Sequence, residues 1–402
     1  MPPENSPNSN EEPAALEELT SDGQGSGLEV ERGDGLEGAI RVPFDPAKID
    51  VITQARTVDL LLIRLREGEL DLSPDFQRRA NIWDEKRKSS LIESMLLRIP
   101  IPSLYVSEDK EGNYTVVDGL QRICAIAHFV DVAALNKAAH VKLDPLRLTG
   151  LQSLLDHRQK AYAELPRPLQ RRISETELTL HVIRASTPGD VKFNIFSRIN
   201  QGGLPLTAQE IKNAIYRGSW RRRVRQLAES QQFRDATGNK IKGERMEDIE
   251  LVLRFVAHYT LDAKRPEEQN LDDFLNDTVE NRSVQWGEDK WADIETAFYR
   301  ALSAAADIFG PFAFRKYFGP NQYRRPINRS LFETETVLLA RRSPKDLKRL
   351  ASRSDRLLTT LGKLFSTDKD FNNALIYATG RGKSSNKRTE LLDTALNEVI
   401  SA

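Results

Sequence analysis

The chain has 402 residues, enough for about two or three domains, and its Lys and Arg residues match its Asp and Glu residues at 59 each. No apolar run is long enough to span a bilayer, and the polar N-terminus lacks the basic and apolar regions of a signal peptide, so we expect a cytoplasmic protein without a membrane segment. The single cysteine, Cys124, excludes an intramolecular disulfide and a cysteine-based zinc site, and is most simply a small buried apolar side chain.

The N-terminal segment differs sharply in composition from the rest of the chain. Residues 1–41 contain ten acidic and two basic residues, a charge of about −8, so the remainder carries about +8. No aromatic residue precedes Phe44, and Pro, Ser, Gly, Asn and Glu are abundant. Such a segment buries too little apolar surface to offset its ordering entropy, so we predict a disordered acidic tail over residues 1–43. Its role is either solubility or the shielding of a basic surface from nucleic acid.

Helices and strands alternate from Phe44 to about residue 200. The hydrophobic periodicity and the Gly and Pro punctuation predict these elements in chain order: a helix at 57–67, an extended segment at 70–72, a helix at 84–97, strands at 103–107 and 114–117, a helix at 119–130 and a strand at 178–184. We therefore predict an α+β domain with a small sheet over residues 44–200.

The second half of the chain is predicted to be almost entirely helical. Thr207 and Glu210 have the spacing of a capping box at the start of a helix that continues through Tyr216. Further helices are predicted at 247–259, 290–308, 331–342, 344–365 and 389–400. We expect a helical domain over residues 201–402, so the predicted fold class is α+β with a mostly α-helical C-terminal half.

The segment Tyr114–Arg122 leads from a predicted strand directly into a helix and contains Asp118, Gly119, Gln121 and Arg122. Free N–H groups and the positive end of the helix dipole make such a junction suitable for phosphate, and an arginine in the first turn adds a planar cation. The same residues also fit a purely structural interpretation. In that interpretation Asp118 is the N-cap and Gln121 completes a capping box.

A second basic segment, Pro74–Arg79, places Gln77 and two arginines after Phe76 and before Trp83. Adjacent arginines beside a turn suit anion binding. The alternative is an exposed basic loop whose two aromatic rings pack into the core.

Taken together, these segments resemble the N-terminal domain family of GmrSD restriction endonucleases, also called domain of unknown function 262. The order of elements is similar to the ParB and sulfiredoxin nucleotide-binding fold. The resemblance rests on short segments spread over most of residues 57–340, which are Pro74–Arg78, Leu91–Ser94, Ile99–Pro102, Asp118–Arg122, Phe193–Gly203, Leu206–Ala214, Arg254–Phe255 and Arg325–Asn328.

The resemblance implies a nucleoside triphosphate, ATP, GTP or CTP, bound together with Mg²⁺. Arg78 and Arg122 would contact its phosphates, and Gly119 would let a phosphate approach the backbone. Asp118 and Gln121 would be catalytic, because they would orient the metal ion, directly or through water, or the attacking water.

Further roles carried over from the resemblance are less direct. Gln77 would support the neighbouring arginine or touch the nucleotide, whereas Arg198 and Asn200 would form a second wall of the cleft or only cap a helix. The family usually has Gln where this chain has Leu120. That change either weakens hydrolysis while phosphate binding is kept, or places a leucine against the core.

No His-Asn-His-type nuclease is predicted in the C-terminal half. The five histidines are at positions 128, 140, 157, 181 and 258, so none follows His258. Basic residues there are interleaved with aromatics, as in Arg315–Phe318 and Arg324–Arg325, and further basic runs lie at Arg221–Arg225 and Arg381–Arg388. This pattern suits DNA contact, but it also fits a solvated helical surface whose aromatic rings are buried.

The leading hypothesis is therefore a nucleotide-binding protein that, by hydrolysis or by binding alone, regulates DNA engagement in restriction or phage defence. DNA and a nuclease or other restriction partner protein are the expected partners. One alternative is a non-enzymatic DNA-binding or regulatory module whose nucleotide site has decayed. Another is a structural scaffold without a ligand.

Overall fold

The computed structural model describes residues 17–20, 23–31, 46–72, 83–199, 207–216, 218–243, 246–319, 324–376 and 379–402. The chain forms two compact units, one over Gly38–Gly218 and the other combining Met1–Glu37 with Ser219–Ala402. The sequence prediction placed its boundaries after residues 43 and 200 instead. The α+β fold class is confirmed, because strands and helices mix in the first unit and helices dominate the second.

Part of the acidic N-terminal segment is ordered, and this differs from the predicted disordered tail. Strands β1 (Glu17–Leu19) and β2 (Gly25–Glu29) pair antiparallel, and we call residues 17–31 the N-terminal hairpin. Backbone hydrogen bonds join the hairpin to the segment before Arg329. The Glu29 N–H donates to the Ile327 carbonyl at 2.8 Å, and the Ile327 N–H donates to the Gly27 carbonyl at 2.9 Å. Composition misses this order because it arises from contacts with residues far along the chain.

The unit Gly38–Gly218 is built on a five-stranded mixed sheet. Its elements are β3 (Val51–Thr57), α1 (Val58–Glu67), β4 (Leu70–Asp71), α2 (Glu85–Leu96), β5 (Leu104–Glu108), β6 (Tyr114–Asp118), α3 (Leu120–Val130), α4 (Val132–Ala139), α5 (Arg167–Ser174), β7 (Glu177–Ile183), α6 (Gly189–Ile199) and α7 (Ala208–Ile215). The strand order is β3-β7-β5-β6-β4. The pairs β5–β7 and β4–β6 are parallel, and the other two pairs are antiparallel.

Most of the apolar core lies on one face of this sheet. Val106 and Leu180 from the central strands pack there with the inner face of α3, which is apolar on the side that contains Ile123 and Ala127. A smaller cluster on the other face contains Val117, Ile183 and Phe196. Strand β3 was not predicted, because it is an edge strand whose residues are mostly exposed and therefore lack an apolar alternation.

A buried carboxylate anchors the irregular segment that the sequence left unassigned. Glu93 of α2 accepts backbone hydrogen bonds from Gln152, Ser153 and Leu154 at 2.7–3.0 Å. Burial by itself would raise the pKa of Glu93, but these hydrogen bonds outweigh it and hold the pKa below its ordinary value. The charged carboxylate thus replaces the regular backbone pairing that this segment lacks.

The helical unit contains ten α-helices among its described residues. They are α8 (Ser219–Ala228), α9 (Gln231–Thr237), α10 (Glu247–Tyr259), α11 (Leu271–Asp277), α12 (Glu288–Phe309), α13 (Arg329–Ala340), α14 (Pro344–Ser352), α15 (Ser354–Thr367), α16 (Lys369–Ile376) and α17 (Gly382–Ser401). The single helix predicted at 344–365 is two helices that meet at Arg353, and the last helix begins at Gly382 rather than at 389. None of the helices in the described ranges combines the length and apolar character needed to cross a bilayer.

Helix α13 is buried along its whole length and is packed by α10, α12 and α17. Its polar side chains therefore need partners inside the unit. Three carboxylates of the N-terminal hairpin add further buried ion pairs, each with an N–O distance of 2.7 Å: Glu18 with Arg329, Glu29 with Lys316 and Glu31 with Arg254. The acidic segment thus neutralises cations that the helices bury.

Candidate functional site

The strand-to-helix junction after β6 is built around Gly119. This residue is the N-cap of α3 with φ +95°, and no side chain caps the helix. A β-carbon here would lie 2.2 Å from Leu104 Cδ2, so both backbone conformation and packing require glycine. The predicted capping box of Asp118 and Gln121 is wrong, because the helix begins one residue later and the Asp118 side chain bonds elsewhere.

A β-bulge sets the direction of Asp118. Val106 pairs with Val116, whereas Tyr105 pairs with Asp118, so β6 has one extra residue at Val117. The bulge brings Asp118 to the face of the sheet that carries Tyr105, away from the main core. Its side chain is 40% exposed and accepts a hydrogen bond from Arg122 Nη2 at 2.8 Å.

Arg122 links the start of α3 to the segment before β5. Its Nη1 donates to the Pro102 carbonyl at 2.7 Å and to the Ser103 carbonyl at 3.0 Å, and its side chain is 14% exposed. With the bond to Asp118, three of the five guanidinium N–H groups are engaged. This structural role was not predicted, and it leaves two N–H groups for a further acceptor.

A row of polar and aromatic side chains crosses the sheet from β3 to β6. In register, Thr53 lies beside His181, His181 beside Tyr105, and Tyr105 beside Asp118. Thr53 Oγ1 lies 2.9 Å from His181 Nδ1, and the rings of Tyr105 and His181 have centroids 4.6 Å apart. Sequence reasoning missed three of these four residues. The sequence did offer a signal for two of them, because Tyr105 and His181 occupy positions that face away from the predicted core in the predicted strands 103–107 and 178–184.

The remaining predicted site residues are only partly covered. Gln77, Arg78 and Asn200 lie outside the described residues. Arg198 is exposed in the last turn of α6. Leu120 is partly buried against the main core, which agrees with the second of the two interpretations given for this departure from the family pattern.

The basic and aromatic cluster predicted in the C-terminal half is largely internal. Arg315 is buried and donates to the carbonyls of Ala313 and Arg325, while Phe314 and Tyr317 are also buried. Arg388 is buried beside Glu333. These side chains stabilise the helical unit, so they do not form an exposed phosphate-binding surface in this conformation.

The sequence analysis connected one carboxylate with a metal ion, that of Asp118, and this residue is described in the structure. Within the described ranges, no group of three or more His, Cys, Asp and Glu side chains is arranged to hold a metal ion. A Mg²⁺ ion that arrives with a nucleotide needs only one or two protein carboxylates, because phosphates and water supply its other ligands. Asp118 fits that more limited role.

A cavity of about 520 Å³ in the same unit is lined by the Ile99–Pro100–Ile101 segment together with Arg98, Arg171 and Arg172. It does not include Asp118 or Arg122. The cavity therefore gives no independent support to the junction as a binding site.

Comparison with known proteins adds one match. No curated protein sequence and no solved structure matched the chain. One family model, described as the N-terminal domain of the GmrSD restriction endonuclease, matches residues 61–217 and so spans the junction, the polar row from Tyr105 to His181 and most of the sheet. Residues 61–217 of the sheet-containing unit are thus similar to the N-terminal domain of the GmrSD restriction endonuclease.

Proposed function

We propose that the unit Gly38–Gly218 binds a nucleoside triphosphate with Mg²⁺ at the junction Asp118–Arg122. Binding, or binding followed by hydrolysis, would control engagement of DNA in restriction or phage defence, with DNA cleavage supplied by a partner protein or absent. The observation that carries the proposal is the arrangement after the β6 bulge. There α3 begins at Leu120 with Gly119 as its N-cap and without a side-chain cap, and an exposed carboxylate lies beside an arginine in its first turn.

Each residue at the junction has a defined part in this proposal. The first-turn N–H groups and the free N–H groups of Arg122 would hold phosphate oxygens. Asp118 would bind the Mg²⁺ ion directly or through water, and Gln121 would orient the attacking water. His181 and Tyr105 extend the same face and offer a ring surface for a nucleobase.

The basic segment that contains Gln77 and Arg78 is expected to complete the phosphate contacts, as the family resemblance implies. Arg198 and Asn200 are expected to form a second wall. A ParB-like cleft requires that the basic segment and the junction Asp118–Arg122 both contact the nucleotide phosphates, and this stays a prediction.

Calorimetric titration with ATP, GTP and CTP in the presence of Mg²⁺ tests the proposal. We expect one nucleotide to bind, and Asp118→Asn and Arg122→Ala to weaken binding at least about 10-fold, since each removes a charged contact. Arg66→Ala is the matched control, because Arg66 forms an exposed ion pair with Asp131 in the same unit. Since Arg122→Ala also removes the bonds to residues 102 and 103, thermal unfolding of each variant separates loss of folding from loss of binding.

The second candidate is a DNA-binding or regulatory module without nucleotide chemistry. Leu120 favours it, because an apolar side chain packs against the core at a position where the resembling family usually has a polar one. In that case none of the three nucleotides binds, while DNA binding is present and weakens linearly with log salt concentration. Absence of both activities would leave the scaffold interpretation.

A further inference from the structure

The helical unit contains a second cavity of about 500 Å³ that the function proposed above does not use. It lies between the end of α10 with its following loop, helix α13, and the first turns of α17. His258, Arg265, Glu333 and Ser385 line its inner part. Its size is within the range of about 300–1,000 Å³ that is usual for small-molecule sites.

Arg265 is the feature that calls for a ligand. Its side chain is almost fully buried, and Nη2 donates to the carbonyls of Gln269 and Gly380. Nε and Nη1 are buried as well, and neither has an acceptor among the residues that the structure describes. Burial lowers the pKa of Arg265 to about 10. The nearby carboxylate of Glu333 raises this pKa, but the positive charges of Arg388 and Arg254 lower it. A buried cation with unsatisfied donors is costly without an anionic partner.

His258 adds a hydrogen-bond acceptor but no positive charge. Its Nδ1 lies 2.9 Å from the Arg254 carbonyl, which can only accept, so the proton is on Nδ1. Nε2 is then an acceptor that faces Ser385 Oγ at 3.3 Å. Burial lowers the pKa of His258 to about 4, despite the nearby carboxylate of Glu333, so the ring is neutral near pH 7.

The other buried charges around the cavity are already matched, and the two lining residues without an ion pair among the described residues, Asp262 and Arg341, are exposed. Glu333 pairs with Arg388 and also lies 3.7 Å from Arg254, Lys264 pairs with Glu390 at 3.5 Å, and Arg342 pairs with Asp393. Arg341 donates to three backbone carbonyls at the end of α10 and beyond it. Among the described lining residues, Arg265 is thus the buried cation without an ion-pair partner, which leaves one positive charge uncompensated.

The N-terminus of α17 contributes less than its position suggests. Its first two backbone N–H groups, of Gly382 and Lys383, already donate to the carbonyls of Gln269 and Glu267 at 3.0 Å. The helix therefore adds only its dipole and the side chains of Ser385 and Asn386. The Asn386 amide donates to the Arg265 carbonyl at 2.8 Å, which fixes the loop that carries the arginine.

We propose that this cavity is a binding site for a small organic oxyanion with a single negative charge, a carboxylate or a phosphodiester, anchored by Arg265, whose buried Nε–H and Nη1–H groups turn towards the cavity when the anion binds. The remaining volume holds the organic part of the ligand. The site belongs to the helical unit alone, so it is independent of the proposed nucleotide junction.

The test is titration of the full chain with sodium benzoate and with sodium dimethyl phosphate at constant ionic strength. Binding is followed by calorimetry and by the NMR signal of the Arg265 Nε–H. Inorganic phosphate serves as the doubly charged comparison. We expect saturable binding of at least one singly charged probe in the millimolar range, with a shift of the Arg265 signal. We expect Arg265→Gln to weaken binding at least about 10-fold.

Two further variants keep the test decisive if Arg265→Gln folds poorly. Thr389 is a half-buried lining residue, and Thr389→Trp fills part of the cavity without removing a charge. It should abolish binding and leave thermal unfolding nearly unchanged. Lys264→Gln removes the same charge from the exposed rim and should change the affinity less than about 2-fold, because exposed charges are screened. The proposal is overturned if neither singly charged probe saturates, if binding survives Thr389→Trp, or if inorganic phosphate binds more tightly than both.

Discussion

The strongest stability prediction concerns Arg254, which connects the N-terminal hairpin to the centre of the helical unit. Its guanidinium donates to Glu31 at 2.7 and 3.0 Å and to Glu250 at 2.6 and 2.9 Å, and lies 3.7 Å from Glu333. The arginine side chain is only 3% exposed. The three carboxylates outweigh the burial that would lower its pKa and hold that pKa well above the ordinary value.

Replacing Arg254 with Met removes the cation from three carboxylates, of which Glu333 is the most buried. Breaking a buried pair from one side costs about 3–5 kcal/mol. Glu333 keeps Arg388, so the lower end of this range, about 3 kcal/mol, is expected. Glu31→Gln is isosteric and leaves Arg254 with Glu250 and Glu333, so its expected cost is only about 1–2 kcal/mol.

Denaturant unfolding followed by tryptophan fluorescence measures this difference. Three of the four tryptophans, Trp220, Trp286 and Trp291, belong to the helical unit, so the signal reports mainly on that unit. The exposed pair Lys290–Asp293 provides the control, and Lys290→Met should change stability by less than about 0.5 kcal/mol.

The double variant Glu31→Gln with Arg254→Met separates coupled from independent effects. It should be no less stable than Arg254→Met alone, because the partner of Glu31 is already gone. Costs that add in the double variant would show that the hairpin does not depend on this arginine. Equal costs for the two single variants would show that Glu250 and Glu333 contribute nothing to the effect of Arg254, which contradicts the expected difference.

Three further outcomes are expected. Gly119→Ala should destabilise the sheet-containing unit by about 1–3 kcal/mol in thermal unfolding, and Leu104→Ala should relieve only the steric part, since the positive φ remains. Glu93→Gln should cost about 2–3 kcal/mol and speed hydrogen exchange at residues 152–154. The wild-type contribution, from a lowered pKa, should be present above the ordinary carboxyl pKa and vanish as the pH falls through the folded value. Burial raises the pKa of Glu335 from 4.5 to about 8, although the Phe314 N–H and Arg315 oppose it. The folded protein therefore keeps a proton that the unfolded chain releases, so stability falls as the pH rises from the ordinary carboxyl pKa to about 8 and is not lost further above it. Glu335→Gln should remove this loss in unfolding measured from about pH 5 to about pH 8, and an unchanged slope would argue against a protonated Glu335.

Local sequence signals located much of the sheet-containing unit correctly. Helix α3 was predicted to within a residue of its observed start, because apolar residues recur at helical spacing after a strand and a glycine. The order of short segments around Asp118 and Arg122 was enough to indicate the family that the comparison later matched. Both signals lie within a few residues of one another, so they can be read without a structure.

The sequence did not reveal which partner each charged side chain selects. Glu31 lies more than 200 residues from Arg254, and nothing near either residue predicts that they meet. The same is true of the β6 bulge, which depends on the register against β5, and of the Arg122 bonds to residues 102 and 103. Composition therefore predicted disorder over residues 1–43, whereas the described part of that segment, residues 17–20 and 23–31, pairs with the helical unit.

What this chain's sequence determined by itself is the class of each element, the α+β arrangement and the motif at the strand-to-helix junction. These follow from periodicity, turn residues and spacing, which act over a few residues. The tertiary structure alone decided that Asp118 faces away from the core, that the acidic hairpin neutralises buried arginines, and that Arg265 is left beside a cavity without an anion among the described residues. The physical reason is that burial and charge pairing depend on which distant residues are brought together, and local sequence does not encode those distances.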